Sequence, residues 1–264
     1  MQQNRNYQVL IVITFLLLLS LACGLIPTEQ LQETNEVPSS QEVEETSTDN
    51  VVFTRPEDVI NYYFEGVIQA DTDKIIAACA INEMGENFRF DLFTERVGYL
   101  TFTTLSPTDY PLYVELNKAQ LTQEILNRVK FFAYSLLSEE ETYTGKTILM
   151  DVERTNKFMR EVNPEKLTEI EIQKIELSNK SLMSESRYIE NATKIANIYG
   201  ADESTERVVL FIFDNNYYYV GFSLLRYGEN WKISSQVSPM ANTIALGAAQ
   251  EITVEEFEAM INGD

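Results

Sequence analysis

From Val51 onward the apolar residues fall first into a helical rhythm and then into a strand rhythm. The pairs Val59/Ile60, Tyr63/Phe64 and Val67/Ile68 return every four residues, which places one buried stripe on a helix. Its start is marked by Thr54-Arg55-Pro56-Glu57-Asp58, with proline in the first turn and acids facing the positive end of the helix dipole. Asp71-Thr72-Asp73 breaks and recaps the chain, and a short second helix follows over 74–80. Residues 81–111, with their Gly, Pro and Asn, read as irregular. Two further helices follow. Residues 112–138 carry Leu116, Ala119, Ile125, Leu126, Val129, Phe132 and Leu136 at helical spacing, and residues 151–162 carry Val152, Phe158, Met159 and Val162 before Pro164 stops them.

Strands dominate the remainder. Residues 167–177 alternate at Ile170 and Ile172, then resume out of phase at Ile175 and Leu177, the signature of a β-bulge. Residues 188–199 read as a short helix. VVLFIFD (208–214) and YYYVGFSLLRY (217–227) flank a turn at Asn215-Asn216 and form a long hairpin. Gly228-Glu229-Asn230 turns the chain again into Trp231-Lys232-Ile233-Ser234. Thr253-Val254-Glu255-Glu256 is a capping box that opens a last helix ending at Gly263. Helices first and strands later define an α+β class, with residues 51–264 as one globular domain.

Two segments precede that domain. Residues 9–22 are almost wholly apolar and follow a polar stretch carrying Arg5, the layout of a secretory signal. The stretch ends Ser20-Leu21-Ala22-Cys23-Gly24, which resembles the lipobox of bacterial lipoproteins. Ser20 stands where leucine is usual. The resemblance implies a diacylglyceryl group on the Cys23 thiol and cleavage between Ala22 and Cys23, with residues 1–22 removed as a signal peptide. The freed amino terminus is open to acylation as well, and a second chain turns marginal membrane binding into stable anchoring at ~0.8 kcal/mol per buried CH₂. The alternative is an uncleaved membrane helix, because the run Val9–Ile26 meets the spanning threshold of about 18 residues. Residues 24–50 contain no base and no aromatic residue. They read as a disordered acidic tether behind the lipidated cysteine, with an r.m.s. span of order 30 Å.

Composition narrows the chemistry. The 264 residues carry 41 acids against 20 bases, a formal charge of −21. Such a surface repels phosphate backbones, so no nucleic-acid partner is expected. The chain contains no histidine, which excludes Ser-His-Asp and Cys-His catalysis and His-ligated zinc. Cys79, the other cysteine, lies among alanines on an apolar helix and reads as buried and inert. Asp71-Thr72-Asp73 lacks the third ligand and the glycine of a calcium loop, so it reads as a helix cap. Tyr217, Tyr218, Tyr219, Phe222 and Tyr227 read as cross-strand packing rather than a sugar-stacking surface. Asn191-Ala192-Thr193 matches a glycosylation sequon by chance. No catalytic residue, cofactor or metal ligand is assigned.

The stretches PEDVINYYFEGVIQADTDKIIAAC (56–79) and YYYVGFSLLRYGENWKIS (217–234) resemble the NTF2-like α+β cone, in which a curved antiparallel sheet wraps the first long helix. The helices at 112–162 and 188–199 are insertions on that plan. The resemblance implies a fold more than a function. The expected role is a non-enzymatic, lipid-anchored protein on the extracytoplasmic face of the bacterial cell membrane that binds an envelope partner or a small ligand. Two alternatives stand beside it: a cone-fold isomerase or hydrolase with an Asp or Glu of raised pKa facing Tyr hydroxyls, and a purely structural spacer.

Overall fold

The computed structural model describes residues 51–141, 146–243 and 246–263. Ala22, Cys23 and the tether lie outside the described residues. Helix α1 (Pro56–Gln69) starts with proline in its first turn and Glu57 and Asp58 beside it, and ends at Ala70 in the left-handed conformation. Helix α2 (Thr72–Ala78) is capped by Asp71, whose carboxylate accepts from the Lys74 amide at 3.0 Å. The cap reading of Asp71-Thr72-Asp73 therefore holds.

Residues 81–111 are more ordered than expected. They contain α3 (Ile81–Asn87) and α4 (Phe90–Val97). Gly85, taken as punctuation, lies inside α3 because a β-carbon there would come within 2.8 Å of the Lys118 side chain. It allows close helix packing rather than a turn. Helix α5 (Pro111–Leu137) and α6 (Val152–Glu161) match the two expected helices, but their buried faces differ from the expected stripes. Leu116 is exposed, and Asn117 beside it is buried. Val152 and Met159 are exposed too, and α6 is held by the pairs Arg154–Glu140 and Lys157–Glu139 and an edge contact of Phe158 on Tyr134.

The expected strand at 167–177 begins later. Pro164 opens a 3-10 turn over Pro164–Glu169, and β1 runs over Glu171–Leu177. Its register against β2 (Glu203–Phe213) slips between Ile172 and Lys174, so the bulge lies where the phase slip places it. Ile172 and Ile175 both pack on the core as a result. Helices α7 (Lys180–Met183) and α8 (Ser186–Ile198) lead into β2. Strand β3 (Asn216–Tyr227) pairs antiparallel with β2 over its whole length. The turn is one residue earlier than expected: Asp214 and Asn215 take φ of 47° and 62°, the two left-handed positions of a type I′ turn. Strand β4 (Asn230–Ser235) and the two-residue β5 (Gln250–Glu251) both pair with β3. Helix α9 (Val254–Asn262) closes the fold behind the Thr253/Glu256 capping box.

The sheet order is β1-β2-β3-β4, with β5 also beside β3, and all pairings are antiparallel. Both faces of the central hairpin are covered, which is why VVLFIF is continuously apolar rather than alternating. On one face Val209, Phe211, Val220, Phe222 and Leu224 meet α1 and α5. Phe64 is the hub there, touching Phe132, Phe211 and Phe222 with ring centroids 5.9–6.0 Å apart. Each such side chain contributes ~1.5–3 kcal/mol by burial. On the other face Val208, Leu210 and Tyr219 meet Phe257 and Ile261 of α9. The fold is thus the expected α+β cone with helical insertions, an antiparallel five-stranded sheet packed on helices. Among the described residues no helix is long and apolar enough to cross a membrane.

Candidate functional site

A space between Cys79, Ala80, Met84, Leu121, Ile125, Arg128 and Ile233 measures about 10 Å³, room for one water at most. The larger open groove, about 730 Å³ between α2, α3, α5 and Val51-Val52, holds engaged cations. Lys118 pairs with Glu86 at 2.8 Å and Glu115 at 3.3 Å, and the Lys232 ammonium donates to the Ala77 carbonyl.

A third space differs from both. It measures about 410 Å³ and opens between α5, α8, the 98–110 loop and the ends of β3 and β4. Its polar wall is made by a second irregularity of the sheet. The β3–β4 register runs Leu224↔Ile233 and then Ser223↔Ser235, which leaves Ser234 as the extra residue of a bulge. Bulges re-aim side chains, and here Ser223, Ser234 and Ser235 all line the space. Thr101, Thr103 and Thr104 line the opposite side.

Arg128 of α5 also lines it. Its guanidinium donates to the Ser235 hydroxyl, and no carboxylate lies within ion-pair distance among the described residues. Glu124, one turn earlier on α5, is the partner that helical spacing offers, but its carboxylate accepts from Gln120 at 3.3 Å instead. Burial is the largest influence on the Arg128 guanidinium and pushes its pKa down, while Glu124 works the other way. A half-buried cation hydrogen-bonded to a hydroxyl, with Glu124 the carboxylate on the same lining, is suited to a negative group presented from the pocket, by charge-assisted and bidentate hydrogen bonds.

Next to this wall the core carries a polar link. The Tyr63 hydroxyl donates to the Gln236 side-chain oxygen at 2.5 Å, and the Gln236 amide donates to the Gly247 carbonyl at 2.6 Å. Burial raises the Tyr63 pKa well above its ordinary value. Cys79 is buried and adjoins Ile233, and desolvation pushes its thiol up to about 12. It reads as a core residue, as expected.

A carboxylate with a raised pKa exists, but on the far face of the sheet. Glu206 is 9% exposed and accepts from the Ser238 hydroxyl at 2.6 Å and the Met240 amide at 3.0 Å. Desolvation outweighs these bonds and raises its pKa. The hairpin aromatics pack as expected. Phe222 meets Tyr63, Tyr219 joins the α9 face, Tyr218 stacks on Phe211, and the Tyr227 hydroxyl donates to the Tyr199 carbonyl. Asn191, the chance sequon, accepts from Arg96 at 2.6 Å. Among the described residues no cluster of three or more acidic or thiol side chains could hold a metal ion.

The Arg128 site was not read from the sequence, yet a signal is there. Leu121, Ile125, Arg128 and Phe132 follow one another at steps of four, three and four. That is the spacing of a core stripe, with a charge in it.

No family profile matches the chain, and no curated protein matches it in sequence. A solved structure of a cystatin-like protein from Ruminococcus gnavus is similar to it, with a TM-score of 0.52 and 19% identity. The match covers 75% of this chain but 44% of that protein, so this chain aligns with less than half of its length. At that identity the likeness establishes the fold alone, a cystatin-like, NTF2-like α+β architecture.

Proposed function

We propose that the chain is a lipid-anchored protein of the extracytoplasmic membrane face, tethered through Cys23, and that its NTF2-like domain binds a small anionic ligand around Arg128 without transforming it. The observation that carries the binding reading is the guanidinium itself. Burying part of a charge is costly unless a partner compensates, and among the described residues the hydrogen-bond partner of the guanidinium is a neutral hydroxyl, with the Glu124 carboxylate acting on it from beyond ion-pair distance. A carboxylate or phosphate entering the 410 Å³ space would supply the missing charge. The absence of histidine favours binding over catalysis. Among the described residues the carboxylate whose pKa is raised by burial, Glu206, sits behind the sheet and under Ser238. The lipobox-like Ser20-Leu21-Ala22-Cys23 and the base-free tether support the anchoring half of the reading.

The test is calorimetric titration of the protein with succinate and with inorganic phosphate, beside the Arg128→Gln variant. Losing a charged hydrogen-bonding partner costs ~1.5–3 kcal/mol, about 10- to 100-fold in affinity. Equal affinity for both anions in the two proteins, or no binding by either, refutes the site.

A further inference from the structure

We infer that the surface made by the 98–110 loop and the first turns of α5 docks against the interfacial layer of the lipid bilayer. The inference rests on the anchored reading above. Tyr99, Leu100, Phe102, Tyr110, Leu112 and Leu116 are all exposed there, Phe102 almost completely at 99%. Soluble surfaces carry single apolar residues routinely, but these six and the exposed Tyr113 make seven within eighteen positions, a patch.

The patch is held rigidly. The Asn117 side chain accepts from the Ser106 amide at 2.7 Å and donates to the Ser106 carbonyl at 2.9 Å. Gln120 donates to the Thr103 carbonyl at 2.6 Å, and the Thr104 hydroxyl accepts from the Thr101 amide at 3.0 Å. Leu105 is buried beneath. The loop therefore presents Tyr99, Leu100 and Phe102 outward on a fixed frame, so little ordering entropy is lost on contact.

Charge selects the occupant. Residues 99–116 contain two charged residues, Asp109 and Glu115, and no base, in a chain of net charge −21. Two copies would bring that net charge together and repel. A polybasic attraction to anionic headgroups is excluded by the missing Lys and Arg. Tyrosine, phenylalanine and leucine in a stretch without bases are what the membrane–water interface accepts.

The point where the chain enters the domain agrees. Val51 and Val52 are exposed and face Glu115, Lys118 and Ala119 of α5 across the large groove. Leu116 lies on the same two turns of α5. The 28 residues from Cys23 to Asn50 thus lead to the end of the domain that carries the patch. An acyl anchor on such a tether makes the contact intramolecular, so a modest apolar surface suffices.

The test uses the full acylated chain with Phe102→Trp in phosphatidylcholine vesicles whose acyl chains are brominated. Position 102 tolerates an indole because nothing covers it, and the native Trp231, 7% exposed, serves as an internal control in the unaltered protein. Docking predicts that most of the emission added at position 102 is quenched, that Trp231 is not, and that added salt leaves the quenching unchanged. Flotation is scored in the same samples. A chain that floats without quenching overturns the docking and leaves the anchor standing. A chain that does not float removes the anchor and the docking together. A concentration-dependent blue shift without vesicles assigns the patch to a second copy and also overturns it.

Discussion

Replacing Tyr63 by Phe keeps the ring and deletes one oxygen atom. The ring sits in the core, 2% exposed, edge-on to Phe222 at 5.5 Å, and that packing survives the change. The hydroxyl's bond to Gln236 does not. Gln236 is 1% exposed, and its amide stays engaged on the Gly247 carbonyl, so its side-chain oxygen is left without a donor and without water. The lost bond is worth ~1 kcal/mol net, and the orphaned acceptor adds a desolvation penalty of ~1 kcal/mol or more, about 2 kcal/mol together. For a domain of this size that lowers the melting midpoint by ~4–8 °C. Urea unfolding followed through Trp231 gives the free energy directly, since the chain has a single tryptophan. The double variant Tyr63→Phe/Gln236→Leu removes both ends of the bond and should cost less than the sum of the two single changes, by ~1–2 kcal/mol. A Tyr63→Phe cost under ~0.5 kcal/mol with an additive double variant would refute the buried link.

Two more outcomes follow from the far face of the sheet. Burial raises the Glu206 pKa above its ordinary 4.5, so the protonated form is favoured by folding. Its contribution is complete below that value and lost as pH climbs through the folded-state pKa. Glu206→Gln should therefore match the parent protein near pH 4 and exceed it in melting temperature at neutral pH; a constant offset across the range would contradict this. Gly221→Ala places a β-carbon 2.5 Å from the Ser238 β-carbon and 2.7 Å from its amide nitrogen, neither of which can swing aside. It should cost ~1–3 kcal/mol in the same urea assay, and a change within ~0.5 kcal/mol would show that the backbone at Ser238 gives way freely.

Most of the architecture was legible because its signals are local. The phase slip between Ile172 and Ile175 placed the β1 bulge, and Thr253/Glu256 placed the last helix. The hairpin aromatics were assigned to packing and are packed. Signals failed where tertiary context overrides them. Gly85 reads as a breaker until Lys118 is seen against it. Leu116 fits the helical stripe, but the 98–110 loop takes Asn117 as its inward clamp and turns Leu116 to the surface. Arg128 stands as a charge in the core stripe of α5, and only the β4 bulge with Ser235 shows what it meets there. The polar wall joins α5 to the β3–β4 hairpin, 107 residues apart at the Arg128–Ser235 bond, so no window of the chain could display it.

The margin of the sheet formed by β1 has a consequence for molecules held at high local density. A smooth outer strand offers a neighbour a regular ladder of free amides and carbonyls, and extension of the sheet from one molecule to the next follows readily. Here the ladder loses step at Gln173, and Glu171, Lys174 and Glu176 line the stretch, with Lys174 drawn to Glu258 of the closing helix. An incoming strand would find neither a continuous template nor an uncharged border, so crowding these domains together should leave each sheet at its own width.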